Sequence, residues 1–372
     1  MAIRNRGLFS IALEGDEGVL VLTPAEGAEN EIKTVEACDD LDVTADEIGN
    51  ITSPVANATN WVDELMRVGD SLDKSAIAGV GIDEVSLEPT MIAVEAICYK
   101  LGLESMMVFP SLESFKSPST RIISTHVVVE KIGDTVKKAK ETIVRLFKAL
   151  IEKMKELGKK FMEVMMNVIP RHLKSLEKRV NTLPDRGEAL EIHDKGLIRA
   201  FGKKGQSKVS VSDVEKVLKF PDSAESIAMK IINVDFENLA TGGDIDSVNS
   251  DKDDLLYDSI IKEGHIVARN DEVSDSATIE IANKEQMKEF IKLIAAFLKK
   301  APKWEGAVAK SEVAMKKTMA KSGNEKFKEL FEEAAKKNRL FGEYLKLYSL
   351  TAKEGVKYLE RCVTARKGGD EK

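Results

Sequence analysis

Residues 132–168 read IGDTVKKAKETIVRLFKALIEKMKELGKKFMEVMMNV, and this stretch decides the fold. Apolar side chains recur at Ile132, Val136, Ala139, Ile143, Leu146, Leu150, Met154, Leu157, Phe161, Val164 and Val168. Their gaps alternate between four and three with one slip, the spacing of a coiled-coil-like seam on an amphipathic helix. At ~1.5 Å per residue such a helix is about 55 Å long. Lys137, Lys138, Lys140, Lys148, Lys153, Lys155, Lys159 and Lys160 occupy much of the remaining surface. Pro170 should break or kink the helix, because proline lacks an amide proton and its ring meets the carbonyl one turn back. Residues 171–180 then read as a further short helical piece.

Upstream, residues 25–60 are rich in Ala, Glu, Asp, Asn and Thr and are expected to be largely mobile. The apolar spacing predicts helices over 61–72 and 83–101, with Gly102 placed to end the second. Downstream, 197–201 and 207–211 read as short strands, 214–218 as a helical turn and 227–234 as a buried element. The stretch 241–254 reads as an exposed acidic loop, and 255–261, 266–268 and 277–282 as elements of a small α+β fold. Helices are expected at about 284–300, 305–320, 324–338 and 341–364, separated by Pro302, by residues 322–324 and by the region around Gly342.

Composition narrows the classes. The 372 residues are 43% hydrophobic, enough for a sizeable core spread over two or three structural units, so wholesale disorder is excluded. Only 13 Phe, 5 Tyr and 2 Trp stand against 56 Lys and Arg and 63 Asp and Glu. Aromatics dominate small-molecule pockets, so the chain leans towards helices and surfaces. Cys38, Cys98 and Cys362 lie far apart with no CxxC, which fits a reducing compartment and not a disulfide framework or zinc knuckle. No apolar run is long enough to span a membrane. The apolar stretch 8–13 ends at Glu14 and is too short for a secretory core, so export is not expected.

The net charge of −7 conceals blocks: −17 over 14–104, +8 over 105–180, −9 over 181–283 and +9 over 284–372. Such asymmetry suggests a chain that assembles with itself or with polyanions through its surfaces.

Catalytic chemistry is hard to find. The nearest approach to a phosphate-binding loop, from Gly196 to Gly202-Lys203-Lys204, has the wrong spacing and lacks the hydroxyl that would hold magnesium. His126, His172, His193 and His265 are scattered over different elements, and ordinary core or surface roles suit them better than metal binding. Asp244, Asp246, Asn249, Asp251, Asp253 and Asp254 invite a calcium reading, but Asp254 falls where such a loop needs glycine and Ile260 where it needs glutamate. No acid–base pair is assignable, so no enzyme and no cofactor is read from this sequence. The basic seam has three readings: packing inside the protein or against a copy of itself, which is favoured, nucleic-acid binding by counterion release, and docking on a membrane surface. For the second, the phosphate-contacting residues would be Lys137, Lys138, Lys148, Lys155, Lys159 and Lys160.

Several segments taken in order carry a family resemblance. They are LFSIALEG at 8–15, MIAVEAICYKLGL at 91–103, PSLESF at 110–115, TRII at 120–123 and VEKIGDTVKK at 129–138, which runs into the basic helix. This order resembles the internal head (virion structural) proteins of giant tailed bacteriophages, over roughly residues 8–170. The resemblance implies packaging into the prohead, trimming by a maturation protease after Glu in Ala-x-Glu or Ser-x-Glu, and retention inside the capsid with the DNA. It points to Ala12-Leu13-Glu14, with Gly15 as the new terminus, and to Ser175-Leu176-Glu177 and Ala189-Leu190-Glu191 as further cleavage candidates. The same pattern also ends at Glu47, Glu88, Glu95 and Glu113, so a Glu-rich chain produces it freely.

The reading is a mainly α, elongated protein with long amphipathic, coiled-coil-like helices and a small α+β insert. Its segments are a cleaved leader at 1–14, an acidic and partly mobile helical region at 15–120 and a basic long-helix region at 121–181. A small α+β region at 182–283 and a basic helical region at 284–372 complete it. The expected partners are phage head proteins, the maturation protease, DNA without sequence preference, and a second copy through helices; no membrane is expected. The expected place is the head interior, after assembly in the host cytoplasm. The alternative function is an injected effector whose C-terminal half binds a host protein.

Overall fold

The computed structural model describes residues 26–103, 109–184, 190–202, 206–241, 273–274, 276–321 and 326–368. The leader at 1–14, the acidic loop with its calcium reading, and the elements expected at 255–261 and 266–268 lie outside the described residues.

Helix α1 (Glu26–Ile77) is 52 residues long, where largely mobile chain was expected over 25–60. Its inward positions explain the difference. Thr34, Cys38, Leu41, Ala45, Ile48, Thr52, Val55, Thr59 and Val62 are all buried, and they follow one another at gaps of four and three. The seam is filled largely by threonine and small residues, so its mean hydropathy is low although its periodicity is that of a core helix. Each buried threonine still needs a partner for its hydroxyl. Thr34, Thr52 and Thr59 donate to the carbonyls of Asn30, Ile48 and Val55, one turn back.

Helix α2 (Glu84–Lys100) starts at Asp83, whose carboxylate accepts the Ser86 amide, and stops before Gly102 at φ +67°, a backbone conformation glycine adopts freely. A short 3₁₀ turn (Leu112–Phe115) leads to α3 (Pro118–Glu163). A break or kink was expected at Pro170, but the helical path continues through it. A π turn (Val164–Val168) passes directly into α4 (Ile169–Asn181), with the Ile169 amide reaching back to the Val164 carbonyl. The wider turn takes up the proline in the first turn of the next helix.

The insert is more helical than expected. The stretch 197–201 is not a strand but most of α5 (Lys195–Phe201), capped by the Asp194 carboxylate. Leu197, Ile198, Ala200 and Phe201 are all buried, which a half-exposed strand would not allow. The expected turn and buried element belong to α6 (Val211–Lys230), a π turn (Ile231–Asp235) and α7 (Phe236–Thr241). Strands β1 (Leu190–Ile192), β2 (Lys208–Val209) and β3 (Thr278–Ile281) form one small sheet in the order β1-β3-β2. β1 runs antiparallel and β2 parallel to β3.

The C-terminal helices α8 (Lys284–Ala320) and α9 (Phe327–Gly368) are each continuous, against the breaks expected at Pro302 and Gly342. Pro302 is exposed between buried Ala301 and Trp304, so the missing hydrogen bond falls on the solvent side while the inner face stays packed. Helix α9 is buried nearly all round, packed among α1, α3, α4, α6 and α8. Many of the scarce aromatics sit on it or pack against it from neighbouring helices. Trp304 stands 4.9 Å from Tyr344, Phe161 5.7 Å from Tyr348, Phe236 6.0 Å from Phe341 and Phe201 5.7 Å from Tyr358, centroid to centroid. Gly355 permits the crossing of α9 with α6 and α8, since a β-carbon there would stand 2.7 Å from Leu218 Cδ2 and 2.9 Å from Ile294 Cδ1.

One core runs from Cys38 to Val363 and draws on every segment marked out by charge. A smaller core of Leu65, Leu72, Ile82, Leu87, Val94, Ile97, Phe115, Val128 and Ile132 closes one end, between α2 and the adjoining ends of α1 and α3. The molecule is mainly helical and elongated, and the three-stranded sheet is a minor part of it. Among the described residues no helix is long and apolar enough to cross a membrane.

Candidate nucleic-acid interface

The six lysines read as phosphate contacts separate into two sets. Lys155 lies 3.1 Å from Glu152 and 3.3 Å from Glu312 of α8. Lys160 lies 3.0 Å from both Glu156 and Asp40 of α1, and it also donates to the Thr44 hydroxyl at 2.9 Å. Their neighbour Lys153 lies 2.7 Å from Glu47 of α1. Hydrogen bonds that it donates to Glu152 and Glu312 hold the Lys155 ammonium above the usual lysine range. Burial works against the charge of Lys160, but the Glu156 and Asp40 carboxylates outweigh it and raise that group too. These lysines clamp helices together.

Lys137, Lys138, Lys148 and Lys159 are exposed and form no ion pair among the described residues. Lys137, Lys148 and Lys159 recur every 11 residues, three turns of helix, so they share one face at intervals of about 16 Å. Between the first two runs an open groove of about 550 Å³ lined by Lys137, Lys140 and Lys148 together with Glu141 and Val144. Lys140 sits 5.0 Å from the Phe327 ring centroid, and burial pushes its ammonium below the ordinary value.

The ion pairs also account for much of the charge-block pattern. Acidic α1 meets basic α9 through Lys346 with Asp42 and Asp46, and through Lys353 with Asp39, each at 2.7 Å. Acidic α6 meets basic α8 through Lys300, 2.7 Å from Asp222 and 3.0 Å from Glu225, and through Lys303 with Glu225. Blocks that suggested assembly with other molecules thus neutralise one another inside the fold. The exposed Lys137, Lys138, Lys148 and Lys159 of α3 stand outside these pairs.

The cleavage candidates fall in different settings. Ala12, Leu13, Glu14 and Gly15 lie outside the described residues, as does Ala189. Ser175, Leu176 and Glu177 are within α4, with Leu176 fully buried. Leu190 and Glu191 are in β1, where Glu191 lies 2.7 Å from Lys208 and accepts a hydrogen bond from Thr278. A protease that needs extended chain would have to unwind α4 or strip β1 from the sheet to reach either position. Near the weak phosphate-loop candidate, the Asp194 carboxylate accepts the amides of Gly196 and Leu197 and occupies the place an anion would take.

Two buried polar clusters escape a reading by spacing, because their members are far apart in the chain. At the junction of α1, α4 and α9, His172 Nε2 lies 2.8 Å from Glu360 Oε1 and Nδ1 lies 3.0 Å from Thr34 Oγ1. Arg179 Nη1 donates to both oxygens of Glu360, at 2.6 and 2.7 Å. Deeper, the fully buried Lys337 ammonium lies 3.0 Å from Asp235, in the π turn after α6, and 3.3 Å from Glu333. The only sequence signal for these groups is a charge at an inward position of a helix that is otherwise apolar on that side. Among the described residues no group of His, Cys, Asp and Glu is arranged to hold a metal ion.

A family model for phiKZ-like phage internal head proteins matches residues 27–255. Comparison with curated proteins gives no match, and comparison with solved structures gives none either. The matched span covers more than half of the chain and includes α1 to α7 with the whole lysine row. The chain therefore belongs to the phiKZ-like phage internal head proteins and is a structural protein of the phage head.

Proposed function

We propose that the protein is trimmed during head maturation and then lies inside the capsid against the packaged genome, with the outer face of α3 towards the DNA. The observation that carries this reading is the lysine row at 137, 138, 148 and 159, exposed and unneutralised while neighbouring lysines are committed to ion pairs. Four phosphate contacts would release counterions without reading sequence, giving a slope of log K against log salt of about −3 to −4. Duplex DNA titrated with the full chain at several salt concentrations tests this. The K137E/K138E/K148E/K159E variant should bind at least about 100-fold more weakly at low salt, with its helical circular dichroism unchanged. Binding that is absent, insensitive to salt, or unaffected by the four reversals overturns the reading.

Trimming is expected after Glu14, since Glu177 and Glu191 are held in regular structure. Mass spectrometry of the protein from purified particles should find Gly15 as its first residue; retention of Met1 or Ala2 in mature virions rejects the leader. In the alternative, an injected effector whose C-terminal half binds a host protein, the binding surface would lie outside α9, which is buried against α1 and α4.

A further inference from the structure

Asp235, Glu333 and Lys337 are three ionisable side chains buried together in the helical core, and the lysine row makes no use of them. Lys337 Nζ lies 3.0 Å from Asp235 Oδ2 and 3.3 Å from Glu333 Oε1. Glu333 and Lys337 are one turn apart on α9, an ordinary helical pair. Asp235 comes from elsewhere in the chain, as the last residue of the π turn between α6 and α7. Single π turns are frequent at functional sites. Ile231, Ile232, Asp235 and Phe236 are all buried, so the turn carries Asp235 inward with its apolar neighbours. Phe236 and Phe341, next to Asp235 and one turn beyond Lys337, are buried with ring centroids 6.0 Å apart.

Such surroundings change what an amine and a carboxyl can do to each other. In water both are charged, and they do not react. Burial favours the uncharged form of each, and lysine gives up its proton when buried far more readily than arginine. Transfer of a proton from the ammonium to a carboxylate leaves a neutral amine, which is a nucleophile. Holding amine and carboxyl in fixed contact corresponds, for well-oriented pairs, to effective concentrations of roughly 10⁵–10⁸ M.

The geometry points to an intramolecular amide bond between Lys337 and Asp235, closed by the folded chain itself with Glu333 as proton carrier. Lys337 Nζ attacks Asp235 Cγ, and a C–N bond forms while the C–O bond to one carboxyl oxygen breaks. That oxygen already bears the proton of the carboxylic acid. The Glu333 carboxylate takes a second proton from the nitrogen and passes it to the same oxygen, which leaves as water. Nothing is oxidised or reduced, and no co-reactant is needed. Asp235 is the nearer carboxyl and Glu333 the farther, which sets their roles. The ion-paired cluster is the reactant, so joining follows folding and proceeds slowly from the fraction whose proton has moved. The product ties the π turn before α7 to α9, the helix that covers the bundle.

Mass spectrometry of the full chain, incubated for days after purification and then unfolded, tests this. The mass should fall by one water as incubation proceeds. Trypsin should release residues 231–252 joined to residues 337–339, since an acylated Lys337 is no longer a cleavage site. Glu333→Gln should slow the joining by roughly 10²–10⁴-fold with helical circular dichroism unchanged. Asp235→Asn should still join, losing ammonia in place of water, and Lys337→Arg should not join at all. A parent chain that keeps its full mass and yields the two peptides separately overturns the inference, whatever the variants do. Loss of water without the branched peptide, a branch at Glu333, or joining of Glu333→Gln at the parent's rate overturns it equally.

Discussion

Lys337→Met should lower the free energy of unfolding by about 3–5 kcal/mol, the largest loss expected from any single substitution discussed here. Lys337 is fully buried between Asp235 and Glu333, themselves 0% and 4% exposed. Removing the ammonium takes the cation away from two buried carboxylates, and the cost of keeping them there without it exceeds the value of the ion pair itself. Methionine keeps most of the volume, so the loss reports charge and not a cavity. Urea unfolding followed by circular dichroism measures it. The triple variant Lys337→Met, Asp235→Asn, Glu333→Gln should recover at least half of the loss, because the buried negative charges are then gone. A Lys337→Met protein as stable as the parent would mean that the ammonium does not compensate these carboxylates, against the geometry.

Glu360→Leu comes second, with an expected loss of about 2–4 kcal/mol, because it strips His172 and Arg179 of their shared acceptor at the α1–α4–α9 junction. The Thr34 hydroxyl has a single proton to give, either to the Asn30 carbonyl at 2.7 Å or to His172 Nδ1 at 3.0 Å, and cannot replace the carboxylate. Glu360 also sets a pH dependence. Burial works to raise its carboxyl, but the hydrogen bonds from His172 and Arg179 outweigh it and hold the group below its ordinary value of 4.5. A carboxyl depressed in the folded state contributes stability that is complete above the unfolded value and is lost as pH falls through the folded one. The parent should therefore lose stability below about pH 4.5, and Glu360→Gln should lose less over the same range. Equal acid limbs for the two proteins would remove Glu360 from that account.

Legibility in the sequence followed the chemistry of the inward positions. The seam of α3 was visible because Ile, Leu, Met and Phe mark it. Gly102 announced the end of α2 in the same direct way. Helix α1 was misread because threonine, alanine and cysteine alternate with Leu41, Ile48, Val55 and Val62 along its inner row, and the burial of the threonines depends on intrahelical hydrogen bonds. Proline and glycine misled at 170, 302 and 342 for a related reason: packing from three sides supplies more than the local penalty removes. In the candidate site, the lysine row could be named from the chain alone. Its division into clamps and free charges could not, since Asp40, Glu47 and Glu312 reach α3 only through the tertiary fold.

The burial of α9 has a consequence for the timing of biosynthesis. The surfaces of α1, α3 and α4 that it covers leave the ribosome long before residues 327–363 exist. At ~5–20 residues per second, those apolar faces wait roughly 10–40 s between the end of α4 and the arrival of their cover. During that interval the nascent chain presents a sticky, incomplete bundle beside others on the same message. Closure of the bundle is thus a late step of synthesis, because its covering helix is the last of the described elements to appear.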